Sequence, residues 1–507
     1  MIIRKLTGKR AGTFTCVVAV FAGLFFMSAT AAHAINGMPS SGEKQNMKLV
    51  GYNDLQGRES LQVTTKGDFV FVGHHNRPGR ASTHYNPLTE TYEQNGTTIL
   101  NISDPRNPIL VVHIPNETNR NSRSASPVYD FKESGRDYMI RNSEGQGTWY
   151  FQVFDITDIT RDGGDEYTLV GNIMSTPAGT LTQTAHKGYF SQGGLYYVGA
   201  NEPGFNSGGH LIIWDMSDLP TLDPDPGTPP DLGVGRFVGR AWLPGQKVGE
   251  PDMGSMSGHH PIVDEDNGRV YMAYLTGGNL VSFDTSDILA TDPPTRVDPT
   301  IKWHIDTDPP GSGIHTLTVI KYDTVPNFQA EDLSSDQRYG GDGLPRLYAL
   351  AADEATGGDM WKNENGGPDD PVRDKIYMMD VTNADTTGVP FPVDTWQVPD
   401  GDYLDRGGRF GPHQFNETID GQFNTFEDRI AYIPYFNAGV RAIDISDPYN
   451  MKEVGYYVPQ ANERTGTMGG TQPHIIQIND VDVDYRGLVY ASGRTGSGLY
   501  ILEYTGK

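Results

Sequence analysis

The stretch Gly411–Pro459, GPHQFNETIDGQFNTFEDRIAYIPYFNAGVRAIDISDPYNMKEVGYYVP, decides how the rest of the chain is read. It divides into four short runs: His413–Glu417, Arg429–Pro434, Val440–Ile445 and Glu453–Val458. Apolar and polar residues alternate within the runs, and turn-forming Gly, Asn, Asp and Pro stand between them. This pattern predicts four strands rather than helices. A single four-stranded sheet cannot bury both faces, so the unit needs copies of itself packed alongside.

Copies run the length of the chain. The third run and its closing turn recur as Asn101-Ile-Ser-Asp104, Asp155-Ile-Thr-Asp158, Asp215-Met-Ser-Asp218, Asp284-Thr-Ser-Asp287, Asp380-Val-Thr-Asn383 and Asp444-Ile-Ser-Asp447. A seventh, Leu499–Glu503, lacks the turn. Asp or Asn followed two residues on by Ser or Thr closes a strand through side-chain bonds to the backbone. Seven such meanders predict an all-β chain folded as a seven-bladed β-propeller, in which radial repetition protects strand edges. The fourth-strand pattern follows six of the units, but no chain remains to supply it after the seventh. Met47–Leu55 (MKLVGYNDL), ahead of the first unit, has that pattern. The ring is therefore expected to close with this N-terminal strand completing the last blade.

The segments NAGVRAIDISDPYNMKEVGYYVP (437–459) and DVDYRGLVYASGRTGSGLYILEYTG (482–506) resemble the LVIVD-repeat family of bacterial secreted propellers. The resemblance extends over most of the chain beyond its first 34 residues. It implies the fold and attaches no reaction to it, since one fold hosts many functions.

The N-terminus reads as a secretory signal. Arg4, Lys5, Lys9 and Arg10 form a basic region, Val17–Met27 an apolar run, and Ala32-His33-Ala34 a small-x-small cleavage site. Residues 1–34 are thus expected to be removed after Ala34, leaving 35–507 as one propeller domain in the periplasm or outside the cell. The apolar run is too short for a stable membrane span. The only cysteine, Cys16, lies within the signal, so the mature chain has no disulfide, thiolate metal site or cysteine nucleophile. The net charge of −25 argues against nucleic acid or an anionic membrane surface as partner.

Loops differ more than strands. Long insertions fall at Asn76–Asn95, Asp323–Gly343 and Asp353–Asp374, and a Pro/Asp tract at Pro220–Asp231. Asp223–Asp225, Asp369–Asp370 and Asp480–Asp484 offer oxygens for structural calcium, although none has the spacing of a defined calcium loop. Solvated acidic turns are the plainer reading.

The histidines carry the functional argument. In a propeller blade the first strand is innermost, and its head opens on the same face as the exit of strand two. Strand-one heads read Ala185-His186-Lys187, Gly258-His259-His260-Pro261, Gly313-Ile314-His315-Thr316, Gly411-Pro412-His413-Gln414 and Gln472-Pro473-His474-Ile475. Blade one instead places His74 and His75 where its second strand ends, and blade two supplies no histidine. Circular symmetry turns equivalent positions into spatial convergence. The expected metal ligands are therefore His74, His75, His186, His259, His260, His315, His413 and His474. His259 and His260 compete for one register position. Aligning the Gly487 turn puts Asn479 at the last strand head and His474 in the loop before it.

Any one of these histidines could equally be a hydrogen-bonded core residue. Imidazoles without thiolate suit copper, with iron as the alternative, and more of them converge than one tetrahedral zinc requires. Glu202 and Glu354, at strand-two exits, are candidate general bases or orienters of an imidazole, and Arg141 and Arg494 candidate anion holders. The layout resembles, as architecture, nitrous oxide reductase, thiocyanate dehydrogenase, the selenium-binding methanethiol oxidases and the carotenoid oxygenases. That resemblance implies a metal-dependent oxidoreductase, with copper, acting on a small sulfur- or nitrogen-containing molecule and passing electrons to a periplasmic acceptor. The competing expectation is a non-catalytic propeller that serves as a secreted binding scaffold, its long insertions forming the binding loops.

Overall fold

The computed structural model describes residues 42–76, 81–118, 120–142, 144–145, 151–173, 175–176, 179–180, 185–206, 209–221, 231–232, 234–251, 256–276, 278–306, 313–322, 325, 346–354, 374–399, 401–403, 405–416, 429–467 and 474–506. Seven antiparallel sheets form the blades. From the innermost strand outward, the first five are Ser60–Lys66, Phe69–His74, Gly96–Asn101, Ile109–Pro115; Ala125–Val128, Tyr138–Asn142, Phe151–Asp155, Thr168–Ile173; Ala185–Phe190, Leu195–Ala200, His210–Asp215, Arg236–Ala241; Ser257–Asp264, Arg269–Thr276, Asn279–Asp284, Thr300–Asp306; and Gly313–Tyr322, Arg346–Glu354, Ile376–Asp380, Phe391–Trp396. Blade two gains a short parallel edge strand, Asp231–Leu232.

All six closing turns form as the sequence implies. The side-chain oxygen of Asn101, Asp155, Asp215, Asp284, Asp380 or Asp444 accepts the backbone N–H two residues on, at 2.9–3.0 Å. Each bond satisfies a backbone donor at a strand end.

Closure runs through the N-terminus. Met47–Asn53 pairs antiparallel with Gly498–Tyr504, from Met47 opposite Tyr504 to Asn53 opposite Leu499, and completes the seventh blade with Ile478–Val483 and Val489–Gly493. A second strand, Glu43–Gln45, forms the outer edge of blade six against Lys452–Val458. Asn46, at φ 50°, makes the step between the two blades. Its side-chain amide donates to the Val454 carbonyl at 2.7 Å.

Blade six departs from expectation on its inner side. Its sheet consists of Ile430–Pro434, Val440–Asp444, Lys452–Val458 and Glu43–Gln45, and His413–Asn416 is irregular. This segment is held through Asn416, whose N–H donates to the Tyr432 carbonyl and whose Oδ1 accepts the Tyr432 N–H. Glu417, the tract from 222 to 230, Asp369–Asp370 and most of the blade-five insertions lie outside the described residues. The blade-one insertion folds as a hairpin, Thr83–Asn86 against Thr91–Gln94.

The apolar core sits between neighbouring blades. Tyr197, Leu211 and Ile213 of blade three, for example, meet Val270, Met272, Val281 and Phe283 of blade four, all buried. Asp480 and Asp482 do not form a calcium loop. Their carboxylates accept the Val63 and Thr65 amides at 2.8 and 2.6 Å, stitching blade seven to blade one. Asp484 is spent on Arg486 and Tyr490. Alternate residues of a strand share one face, so these acids line a seam and do not converge on one point. Among the described residues, no helix is long and apolar enough to cross a membrane.

Candidate metal centre

The strand heads reach the channel through a repeated irregularity. In blades one, three, four, five and seven the pairing of strand one with strand two slips just after its start: between Ser60 and Val63, Ala185 and Gly188, Gly258 and Pro261, Ile314 and Thr316, and Ile478 and Asp480. The residues caught in the slips include Leu61, Gln62, His186, Lys187, His259, His315 and Asn479, and each of these lines one cavity of about 260 Å³. A bulge bends a strand and re-aims its side chains. Here it turns them off the sheet faces toward the common cavity. At Gly258 the backbone passes so close to the Gly209 carbonyl that a Cβ would lie 2.7 Å from it, so glycine is required beside His259.

Four imidazoles form an arc across blades three to six. Ring centroids are 4.0 Å apart for His186 and His259, 3.9 Å for His259 and His315, and 3.8 Å for His315 and His413. His260 stands behind the arc, its Nδ1 3.0 Å from Nδ1 of His259 and its Nε2 3.3 Å from the Thr316 hydroxyl. The competition between the adjacent histidines thus resolves into two roles, His259 on the cavity and His260 beneath it. Glu354 closes the arc, with carboxylate oxygens 3.8 Å from Nε2 of His315 and 3.5 Å from Nε2 of His413. Two groups have ligand atoms within 4.8 Å of one another: His259, His260 and His315, and His315, Glu354 and His413. They share His315. These buried clusters are capable of coordinating a metal ion.

Electrostatics favours lone pairs over N–H cations at His259, His315 and His413. Burial, and then the neighbouring imidazoles, hold His259 and His315 well below the usual histidine range. Burial lowers His413 too, against the pull of Glu354. Burial alone would raise Glu354, but His413 and the guanidinium groups of Arg409 and Arg494 outweigh it and keep the group ionised. Arg409 contacts Glu354 at 2.5 Å and Arg494 at 3.8 Å. The Nδ1 atoms of His315 and His413 are buried without a hydrogen-bond partner. Buried polar atoms are usually satisfied, so neutral imidazoles with uncommitted nitrogens fit a metal that takes nitrogen donors.

The other expected ligands lie elsewhere. His74 pairs with Ser60 inside blade one, and its Nε2 meets the Thr98 hydroxyl at 2.7 Å. Successive strand residues face opposite ways, which is why His74 and His75 part company. His75 lies beside Glu59 and Arg123, and burial first lowers its pKa to about 4. His474 is exposed on a loop, bonded to the Thr465 carbonyl, and Asn479 takes the strand head. Glu202 is committed to His210 and Arg240. Arg141 is buried against Gln152 and the carbonyls of Ile114 and Pro115. Neither Glu202 nor Arg141 lines the cavity, whereas Glu354 and Arg494 do.

Three cations on the cavity wall escaped the sequence reading: Arg123, Lys187 and Arg409. Lys187 follows His186 in its bulge, and Arg409 precedes His413 by four residues. Arg123 stands two residues before the first strand of blade two, near the strand head at which blades three, four and five carry a histidine. Blade two therefore does contribute to the mouth, with a guanidinium in place of an imidazole. Position relative to the repeat was the available signal; residue type concealed it.

Fold and site together define a seven-bladed β-propeller with clustered histidines at its channel. Residues 430–458, which hold three of the four strands of blade six, match the model of the LVIVD repeat. No curated protein matches the sequence. Among solved structures, the chain is similar to a Lactobacillus plantarum protein at 13% identity and TM-score 0.40, covering 71% of this chain and 75% of that one. It is similar to the computationally designed protein Ika8 at 8% and 0.41, covering 90% and 99%. It is also similar to Chaetomium thermophilum Sqt1, solved bound to the N-terminus of ribosomal protein L10, at 11% and 0.46, covering 90% and 99%.

Proposed function

We propose that this chain is a secreted, periplasmic metal-dependent oxidoreductase whose copper site is built from His259, His260, His315 and His413 with Glu354, and whose substrate is a small sulfur- or nitrogen-containing anion. The observation that carries the reading is the pair of ligand groups sharing His315, with the buried Nδ1 atoms of His315 and His413 left unpartnered. Imidazole donors without thiolate, beside a single carboxylate, suit copper and disfavour calcium. When bound, copper supplies a Lewis acid and an electron acceptor.

The chain's own residues supply the rest. Arg123, Lys187, Arg409 and Arg494 line a cavity large enough for a few heavy atoms, against one carboxylate, and in so confined a site they favour an anion. Glu354, held ionised by its neighbours, is too weak a base to take a proton at neutral pH. Its role is to fix the ring orientations of His315 and His413 or to ligate. Electrons would pass on to a periplasmic acceptor.

The test is metal analysis of untagged mature protein. Near-stoichiometric copper with visible absorption and a Cu(II) electron paramagnetic resonance signal is expected. Copper at about 100 times its Kd should raise stability by about 2.7 kcal/mol. Mixed substoichiometric metals after reconstitution, with an unmoved melting temperature, would return the protein to the non-catalytic scaffold reading.

A further inference from the structure

We propose that Arg123 removes His75 and His186 from the ligand set and presents His186 to the cavity as an N–H donor. The Arg123 Nη1 lies 3.2 Å from Nδ1 of His186, and its Nη2 lies 3.0 Å from Nε2 of His75. Arginine has only donors, so both of these imidazole nitrogens must accept. A neutral imidazole carries one lone-pair nitrogen and one N–H. The His75 proton is therefore on Nδ1, and that atom faces Glu59 Oε1 at 3.5 Å. The guanidinium fixes this tautomer, and the carboxylate lies on the side where its proton is placed. By the same reasoning the His186 proton is on Nε2.

A metal ligand must offer a lone pair, and in both rings Arg123 already occupies it. The channel mouth is thereby divided. His259, His315 and His413 keep nitrogens for a metal, with His260 beneath them, while His186, half-buried on the cavity wall, joins the cationic side that meets an anion. Arg123 acts through the histidines and is a positioning residue. This division rests on the metal reading, but the tautomers belong to the metal-free protein and are measured without it.

Metal-free protein labelled with 15N-histidine is the first sample. Long-range proton–nitrogen correlations should show His75 protonated at Nδ1 and His186 at Nε2, with assignments made by loss of each signal in His75→Gln and His186→Gln. The reverse tautomer in either ring, or a charged ring at neutral pH, overturns the proposal even if no copper binds. In the second experiment copper alone is titrated into the full mature chain. His75→Gln and His186→Gln should keep the wild-type paramagnetic resonance spectrum and bind copper within about threefold of wild type, whereas His259→Gln and His315→Gln should lose at least about tenfold. Arg123→Met should alter the nitrogen hyperfine pattern, because a lone pair on His186 is released. Loss of hyperfine lines or of about tenfold affinity in His186→Gln with Arg123 intact would show that ring to be a ligand and refute the proposal. If Arg123→Met does not fold, the two glutamine variants decide alone. Absence of copper from wild type would count against the metal reading, and the tautomers would still decide the role of Arg123.

Discussion

The imidazoles of His259, His315 and His413 are bases kept uncharged by their surroundings, and this has a consequence in acid. His259, His315 and His413 lie below the usual histidine range because of burial. Below about pH 6.5 the unfolded chain therefore binds protons that the folded chain refuses, and stability falls as pH falls. Glu354 acts in the same direction lower down. Its stabilising contribution is present above the ordinary carboxylate range and is lost as pH drops toward its lower folded value. The melting temperature of metal-free protein should decline steadily from about pH 7 to about pH 5, and any metal bound by these imidazoles should leave over the same window as protons compete for their nitrogens. A flat profile over that range, read by differential scanning calorimetry, would contradict neutral imidazoles at His259, His315 and His413. The recurrence of histidine at strand heads was legible in the sequence because rotation preserves position. The fates of His74 and His474 were not. His74 differs from His75 only in which way a strand residue points, and His474 missed its strand head by a few residues.

At the scale of the strand, the repeated bulge is what turns a sheet-forming segment toward the common cavity. Nothing in His186-Lys187 or Gly258-His259-His260 announces a slipped register, because a bulge depends on the partner strand as much as on its own residues. The seam between blades seven and one shows the same limit. Asp480-Val-Asp-Val-Asp484 reads equally well as an acidic turn or as a strand, and only the neighbouring amides of Val63 and Thr65 decide. Asp482 accepts both the N–H and the hydroxyl of Thr65, at 2.6 and 2.8 Å. Asp482→Ala leaves the buried Thr65 N–H unmatched and should cost about 1–3 kcal/mol. Chemical denaturation should show this as a lower midpoint with an unchanged slope. An unchanged midpoint would mean that the seam is held by its apolar contacts alone.

For the whole molecule, the number of blades and the closing strand could be read from seven meanders and one missing fourth strand. The second tie, Glu43–Gln45 on blade six, could not, because three polar residues carry no strand pattern. The two ties are predicted to differ in weight. The Glu43–Gln45 strand is short and exposed on its outer side. Starting the chain at Asn46 should therefore leave a soluble, folded protein. Starting it at Asp54 removes Met47–Asn53, uncovers the edge of Gly498–Tyr504 and opens the last blade, and soluble yield should collapse as the bare edge recruits other chains. Equal yields of the two truncations, compared by size-exclusion chromatography and circular dichroism, would show that the ring does not need its latch. That latch also imposes an order of events. The segment that leaves the ribosome early must wait, without its partner, until the final residues follow it. A transcript cut short upstream of Gly498 thus yields a product that cannot shut. Assembly becomes a proofreading step on the length of the message, carried out by the fold itself.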